Sequence, residues 1–406
     1  MAVTLVLTTA CKDNGKKVYP IPIPNPVTVA VTGVMLAEKA LVLTPGAKRF
    51  LTATVLPANA TNKSVVWNSD NNTVTTVNSA TGELSVHSAG KAVITATTVD
   101  GGFADECLLT AEFSNTNIFV ADPFILEDKG VYYLYGTSSA NGIVVWRSTD
   151  LLRWEGPCGA TQGLALHKND SWGERNFWAP EVYNIHGQYV MTYSVESHIA
   201  VAEASSPLGP FVQDEKKPLV DENGIDSHIF MDDDGTAHLY WVRFQSGNII
   251  YTARMSQDLK SVDMTTAQHC ITPQQGTWER TQAEPRANVA EGPFVIKRDD
   301  KYYLSYSCNH YQSPDYAVGW AVADKPEGPW TRNKDNPILL RHAGYAGTGH
   351  HAFLKTSSGK VYIVYHAHNS LTAIAPRRTL ISECQWDASP GFVTVEQGCS
   401  ELVKND

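Results

Sequence analysis

The sequence predicts an all-β chain, an N-terminal antiparallel β-sandwich followed by a five-bladed β-propeller. Three observations point there. One pattern recurs five times after residue 114: a short apolar strand led by an acidic or histidine residue, a tight turn, and a returning strand rich in tyrosine. Its leading residues are spaced by about 45 to 65 positions, the length of a propeller blade of four short strands. Ahead of the repeat, apolar and polar residues alternate between closely spaced turn residues over about 85 positions, which suits a sandwich. With 43% hydrophobic and 10% aromatic residues, 29 glycines and 21 prolines placed mostly at turns, and no low-complexity tract, the 406-residue chain is of globular composition.

In chain order, residues 1–26 read as a leader and tether. Met1–Ala10 (MAVTLVLTTA) is apolar, ends at Cys11, and is too short for a membrane span of about 20 residues. Small residues before a cysteine resemble the cleavage site of a bacterial lipoprotein signal, although no Lys or Arg precedes the apolar run. The expectation is export, with a lipid anchor at Cys11 placing the protein at the outer membrane or cell surface, or in the periplasm. Lys12–Pro26 is a proline-rich extended tether. Residues 27–113 form the sandwich, with strands expected at Val31–Leu36, Ala40–Leu43, Lys48–Val55, Val65–Ser69, Glu83–Val86 and Gly90–Thr97.

Residues 114–406 carry the repeat. Its units start at Ala121-Asp122-Pro123-Phe124-Ile125, Ala179-Pro180-Glu181-Val182-Tyr183, Asp226-Ser227-His228-Ile229-Phe230, Glu291-Gly292-Pro293-Phe294 and His350-His351-Ala352-Phe353-Leu354. Four of the five continue into a third strand and an outer edge, at Ile143–Trp154, Ile199–Phe211, Ile250–Val262 and Val318–Trp330. In a propeller the innermost strands run beside the axis, so Asp122, Asp226, Glu291 and His350 converge at one mouth. Lined up by sequence, Asp226 and Glu291 share a column and Asp122 falls one residue later.

A carboxylate at the head of an apolar strand is costly to bury without a partner or a task. These strand starts resemble those of a glycoside hydrolase family that works with inversion, and three carboxylates at one mouth suit that reaction. That reaction needs a protonated acid at the leaving oxygen and an ionised base on water at the opposite face, about 6.5–9.5 Å away. A third carboxylate near the acid keeps it protonated by like-charge repulsion. Asp232, Asp233, Asp234, Asp299 and Asp300 sit in hairpin turns and read as solvated. The 42 acidic against 32 basic residues, with no long basic run, disfavour nucleic acid. None of the seven cysteines shows CxxC spacing, which disfavours zinc. Cys384 and Cys399 could pair across a loop, but buried free thiols fit better.

Two resemblances sharpen this. Leu43-Thr44-Pro45-Gly46, Leu56–Thr61, Val66-Trp67-Asn68-Ser69, Gly82-Glu83-Leu84 and Ala89–Ile94 resemble the bacterial immunoglobulin-like group 2 module, which implies a spacer or docking role. Ala121–Ile125, Phe177-Trp178-Ala179-Pro180-Glu181-Val182, Ile225-Asp226-Ser227, Glu291–Phe294 and Gly347-Thr348-Gly349-His350-His351, in this order, resemble glycoside hydrolase family 43. That resemblance implies an inverting hydrolase of arabinose- or xylose-containing plant glycans, and the chain is expected to be a monomer. Asp122 would be the general base, Glu291 the general acid and Asp226 the residue that tunes and orients the acid. Glu181 would support them. Arg377 would reach the sugar with Arg378 outside the site, and Trp178 and Phe177 would offer an apolar wall. His350 would face the axis and hold a calcium ion through waters, with His351 standing where Asn is common. The favoured activity is exo-α-L-arabinofuranosidase. β-Xylosidase, endo-arabinanase, galactofuranosidase and a non-catalytic glycan-binding propeller are the alternatives.

Overall fold

The computed structural model describes residues 28–43, 47–87, 90–111, 117–281, 288–388 and 391–404. The leader, the tether and Cys11 lie outside the described residues, and so does the expected lipid anchor. Strands dominate throughout, and no described helix is long and apolar enough to cross a membrane.

In the N-terminal module, Ala40–Leu43, Ala104–Ala111, Gly90–Thr98 and Val65–Ser69 form one sheet in that order. Lys48–Phe50, Glu83–Val86 and Thr75–Val77 form a second, and Gly33–Leu36 pairs with Ala53–Leu56. Alternation decides the faces: Ala92, Ile94 and Ala96 are buried, with Trp67, Leu84, Cys107 and Leu109 filling the space between sheets. The expected strand Lys48–Val55 is broken at Leu51, and strands Thr75–Val77 and Ala104–Ala111 complete the sandwich.

From residue 117 the chain builds five sheets, blades I to V, consistent with the expected propeller. The inner strands are Ala121–Asp128, Trp178–Ile185, Gly224–Met231, Ala290–Arg298 and Gly349–Lys355. Each pairs antiparallel with a returning strand through a short hairpin. At Lys129-Gly130, His186-Gly187 and Asp299-Asp300 both turn residues have positive φ, the conformation that matches the twist of a two-residue hairpin. Blade V, which shows no third segment by repeat, gains one at Arg378–Trp386, and blade II ends at three strands. Not every turn acid is solvated. Asp232 is mostly buried, and holds Lys297 Nζ at 2.7 Å and the Tyr302 hydroxyl at 2.6 Å, joining blades III and IV.

The ring closes near its ends. Ile118 N–H donates to the Leu402 carbonyl (2.8 Å), and Val403–Lys404 pairs with Arg153–Trp154 beside blade I. Glu401 is buried there with Arg378 Nη1 at 3.0 Å, Asn117 and the Tyr345 hydroxyl. Arg378 is therefore outside the mouth as expected, yet buried as a closure residue rather than solvated.

Candidate active site

Every inner strand carries a bulge near its start, between Ala121 and Phe124, Trp178 and Glu181, Ile225 and His228, Glu291 and Phe294, and Gly349 and Ala352. The first bulged residue is left-handed in all five: Asp122 (φ 50°), Ala179 (44°), Asp226 (57°), Gly292 (55°) and His350 (45°). For a non-glycine residue this conformation costs roughly 1–2 kcal/mol, and such strain gathers at functional sites. The bulges correct the column read from sequence. Asp122, Asp226 and His350 share one position, and Glu291 stands one residue before it, opposite Ser307. The offset belongs to Glu291, and blade II places Ala179 in the column while Glu181 lies two residues deeper.

These residues open onto a hollow of about 410 Å³ lined by Asp122, Trp178, Asp226, Asn248, Asn288, Glu291, His310, Tyr311, His350 and Arg377. Asp122 Oδ1 takes Arg377 Nη1 at 2.8 Å, its Oδ2 takes the Thr137 hydroxyl at 2.7 Å, and His350 Nδ1 stands 3.3 Å from Oδ1. The Asp122 N–H donates to His366 Nδ1 at 3.2 Å. Burial works to raise the Asp122 carboxyl, but the Arg377 guanidinium, with His350 and His366 beside it, holds it well below the usual carboxylate range. Burial and the same guanidinium push His366 down to about 3, so it is neutral near pH 7.

The other two carboxyls have no cation on them. Asp226 accepts the Gly292 N–H at 3.2 Å, and burial, then the charges of Glu291 and Asp122, push its pKa well up. Burial drives Glu291 up to about 7 against the hydrogen bonds from Tyr316 (2.8 Å) and Asn248 (2.9 Å). Oxygens of the two, and a nitrogen of His350, lie within 4.8 Å of one another. Such a pair retains a proton near neutrality.

The remaining expectations divide. Arg377 reaches the hollow, stacks 4.8 Å over Tyr311 and is anchored on Asp122. Trp178 is on the wall, but Phe177 is only 1% exposed and stacked on Tyr193 inside blade II, so it offers no sugar face. Glu181 accepts from His228 Nδ1 at 2.7 Å and from the Tyr183 hydroxyl, while His228 Nε2 takes the Val295 N–H at 3.1 Å. That chain ties blades II, III and IV, a supporting role. Asn288, His310, Tyr311 and Tyr316 were missed from sequence because they stand in loops outside the repeat, and Asn248 because it opens the third strand of blade III, ahead of the segment that recurs. The six cysteines among the described residues are free, Cys384 and Cys399 included, and both of these are buried.

The calcium expected at His350 would be held through waters, with Asp226 and Glu291 the carboxyls within reach. His350 Nδ1 is turned to Asp122 and, at 3.8 Å, to Asp226, and both Glu291 oxygens already accept hydrogen bonds. Calcium takes six to eight oxygens, whereas the axial space below, between Glu181, Ser227, His350 and His351, is a cavity of about 10 Å³, enough for one water. Another hollow of about 420 Å³, lined by Glu203, Asp214, Lys217 and Lys260, mixes surface charges of both signs and gathers no buried carboxyl.

Residues 115–391 match the family model of glycosyl hydrolases family 43, and residues 30–108 that of the bacterial Ig-like domain, group 2. The crystal structure of an endo-1,4-beta-xylanase from Bacteroides thetaiotaomicron superposes with a TM-score of 0.67 at 38% identity, covering 72% of this chain and 99% of that one. A beta-xylosidase of Xylanibacter ruminicola is 27% identical over 270 residues, 59% of this chain and 79% of the relative. The extracellular exo-alpha-(1->5)-L-arabinofuranosidase ArbA of Cellvibrio japonicus is 22% identical over 312 residues, 68% and 86% of the two. Because the family 43 model spans more than half of the chain and takes in all the residues gathered at the mouth, this protein belongs to glycosyl hydrolases family 43, with a bacterial Ig-like module ahead of the hydrolase domain.

Proposed function

We propose that the protein removes a terminal α-L-arabinofuranose from the side chains of arabinose-containing plant glycans, by hydrolysis with inversion. Glu291 donates its proton to the glycosidic oxygen as the bond to the anomeric carbon breaks. A water on the opposite face attacks that carbon and gives its proton to Asp122. Asp226, with an oxygen within 4.8 Å of one of Glu291, shares a proton with the acid and keeps the pair from losing it near neutrality. One contrast carries the reading: in a single hollow, Asp122 is held ionised by Arg377 while Glu291 is pushed up to about 7 by burial. Arg377 has five donors, of which Asp122 engages two, so it retains donors for sugar hydroxyls. Trp178 supplies an apolar face for the ring.

A hollow of about 410 Å³ is at the small end for ligand sites, which favours one or two sugar rings and hence exo action. Hydrolysis of β-xylosides is the second reading, favoured by the names of the beta-xylosidase and endo-xylanase relatives. Action on polymeric glycans fits export to the cell surface. The test is a panel of 4-nitrophenyl α-L-arabinofuranoside, β-D-xyloside and β-D-galactofuranoside, with proton NMR of the first anomer released. Preference for the arabinofuranoside with inverted product supports the proposal. Preference for the xyloside moves it to the second reading, and a retained anomer overturns the mechanism.

A further inference from the structure

Glu291 has two oxygens, and they face different surroundings. Oε1 accepts the hydroxyl of Tyr316 at 2.8 Å, and Tyr316 is fully buried and does not line the hollow. Oε2 accepts Asn248 Nδ2 at 2.9 Å, and Asn248 does line it. Only Oε2 is therefore placed beside a bound substrate.

Both partners are held in place by their surroundings. The Tyr316 ring lies parallel to His366, with centroids 5.6 Å apart and planes 15° apart. It also packs onto Gly349, where a Cβ would come within 2.4 Å of the ring. Gly349 occupies in blade V the position that Glu291 occupies in blade IV, so blade V gives up a side chain to admit this tyrosine. Burial, then the nearby carboxylates, push the Tyr316 hydroxyl well above its ordinary range, so it stays a phenol and a donor. Asn248 is held by its neighbour. Gly247 has φ 135° and a Cβ there would lie 2.2 Å from the Asn288 carbonyl oxygen, which in turn accepts the Asn248 N–H at 2.9 Å. Asn288 is three residues before Glu291, so the asparagine and the acid are tethered to one short segment.

We infer that Tyr316 and Asn248 are positioning residues that assign the two oxygens of Glu291 different tasks, Oε1 as the anchored carbonyl and Oε2 as the oxygen that delivers the proton to the departing group. In the step, the O–H bond at Oε2 breaks, its proton goes to the glycosidic oxygen, and the electrons of the breaking C–O bond leave with that oxygen. Tyr316 then steadies the carboxylate that forms, through Oε1, and Asn248 does so through Oε2. The inference rests on Glu291 being the acid, and its test separates the two ideas.

Proton delivery matters most for poor leaving groups. Rates would be compared on the 4-nitrophenyl and the methyl glycoside of the sugar the panel selects, for the parent protein, Glu291→Gln, Tyr316→Phe and Asn248→Ala. The ratio of kcat/KM on the nitrophenyl to that on the methyl substrate is the readout, because general misfolding lowers both together. Glu291→Gln is expected to raise the ratio by about 100-fold or more. Tyr316→Phe and Asn248→Ala are each expected to raise it by about 10-fold. An unchanged ratio in both, beside a raised ratio in Glu291→Gln, overturns the inference and leaves the acid in place. An unchanged ratio in Glu291→Gln overturns the acid assignment and this inference with it. If Tyr316→Phe does not fold, Asn248→Ala, at a wall of the hollow, decides alone.

Discussion

Asp122 and Glu291 are both carboxylic acids buried at the same mouth, and a single guanidinium separates their chemistry. Arg377 lies on Asp122, so that group is ionised at any pH at which the fold is expected to work. Glu291 sits beside Asp226 without such a partner and must be protonated to act as the acid. Activity should therefore fall as the pH rises through about 7, where that proton leaves. Asp226→Asn removes a negative charge from the pair, so the remaining acid ionises more easily and the alkaline limb of kcat/KM should move to lower pH. A pH profile of both proteins on one aryl glycoside checks this, and an unmoved limb would show that Asp226 does not tune the acid. The three acids were legible in the sequence because each leads a recurring apolar strand. Phe177 was misplaced because an aromatic beside Trp178 reads the same whether it faces a sugar or Tyr193. Only the alternation within the strand, which the bulge interrupts, tells the two apart.

The blade hairpins were legible from their turns, since Asp-Lys-Gly, His-Gly and Asp-Asp between alternating strands specify tight reversals. The contacts between blades were not, because they join residues distant in sequence. His228 shows the cost of that blindness. It reads as one more residue of a strand, yet its two nitrogens connect Glu181 of blade II to the Val295 backbone of blade IV. Replacing it by Ala would leave Glu181 with the Tyr183 hydroxyl alone and the Val295 N–H without its acceptor, a loss of about 1–3 kcal/mol. A drop of the denaturation midpoint by several degrees is the expected outcome. A midpoint unchanged from the parent would mean that water replaces the imidazole without cost.

At the scale of the molecule, closure of the ring sets how far the blades can drift, and with them the distances at the mouth. Glu401 and Arg378 form the buried pair at that seam, beside the Ile118 to Leu402 hydrogen bond. Glu401→Ala strands the guanidinium, so stability should fall by about 3–5 kcal/mol, with denaturant unfolding as the measurement. The Ig-like module has its own core, and every residue of the hollow lies between 122 and 377. Removing residues 1–113 should leave kcat/KM on an aryl glycoside within about twofold of the parent, a prediction that a large loss would refute.

The five left-handed positions near the axis behave as numbered seats in a fixed frame. Aspartate takes two, histidine one and glycine one, and the fifth holds Ala179, whose methyl group asks nothing of its neighbours. Because the backbone there already tolerates a side chain, a larger residue installed at 179 would take its direction from the bulge and press into the axial cavity of about 10 Å³ that Ala179 lines. A methyl group is what that narrow space admits, so the fifth seat is closed by size and not by backbone.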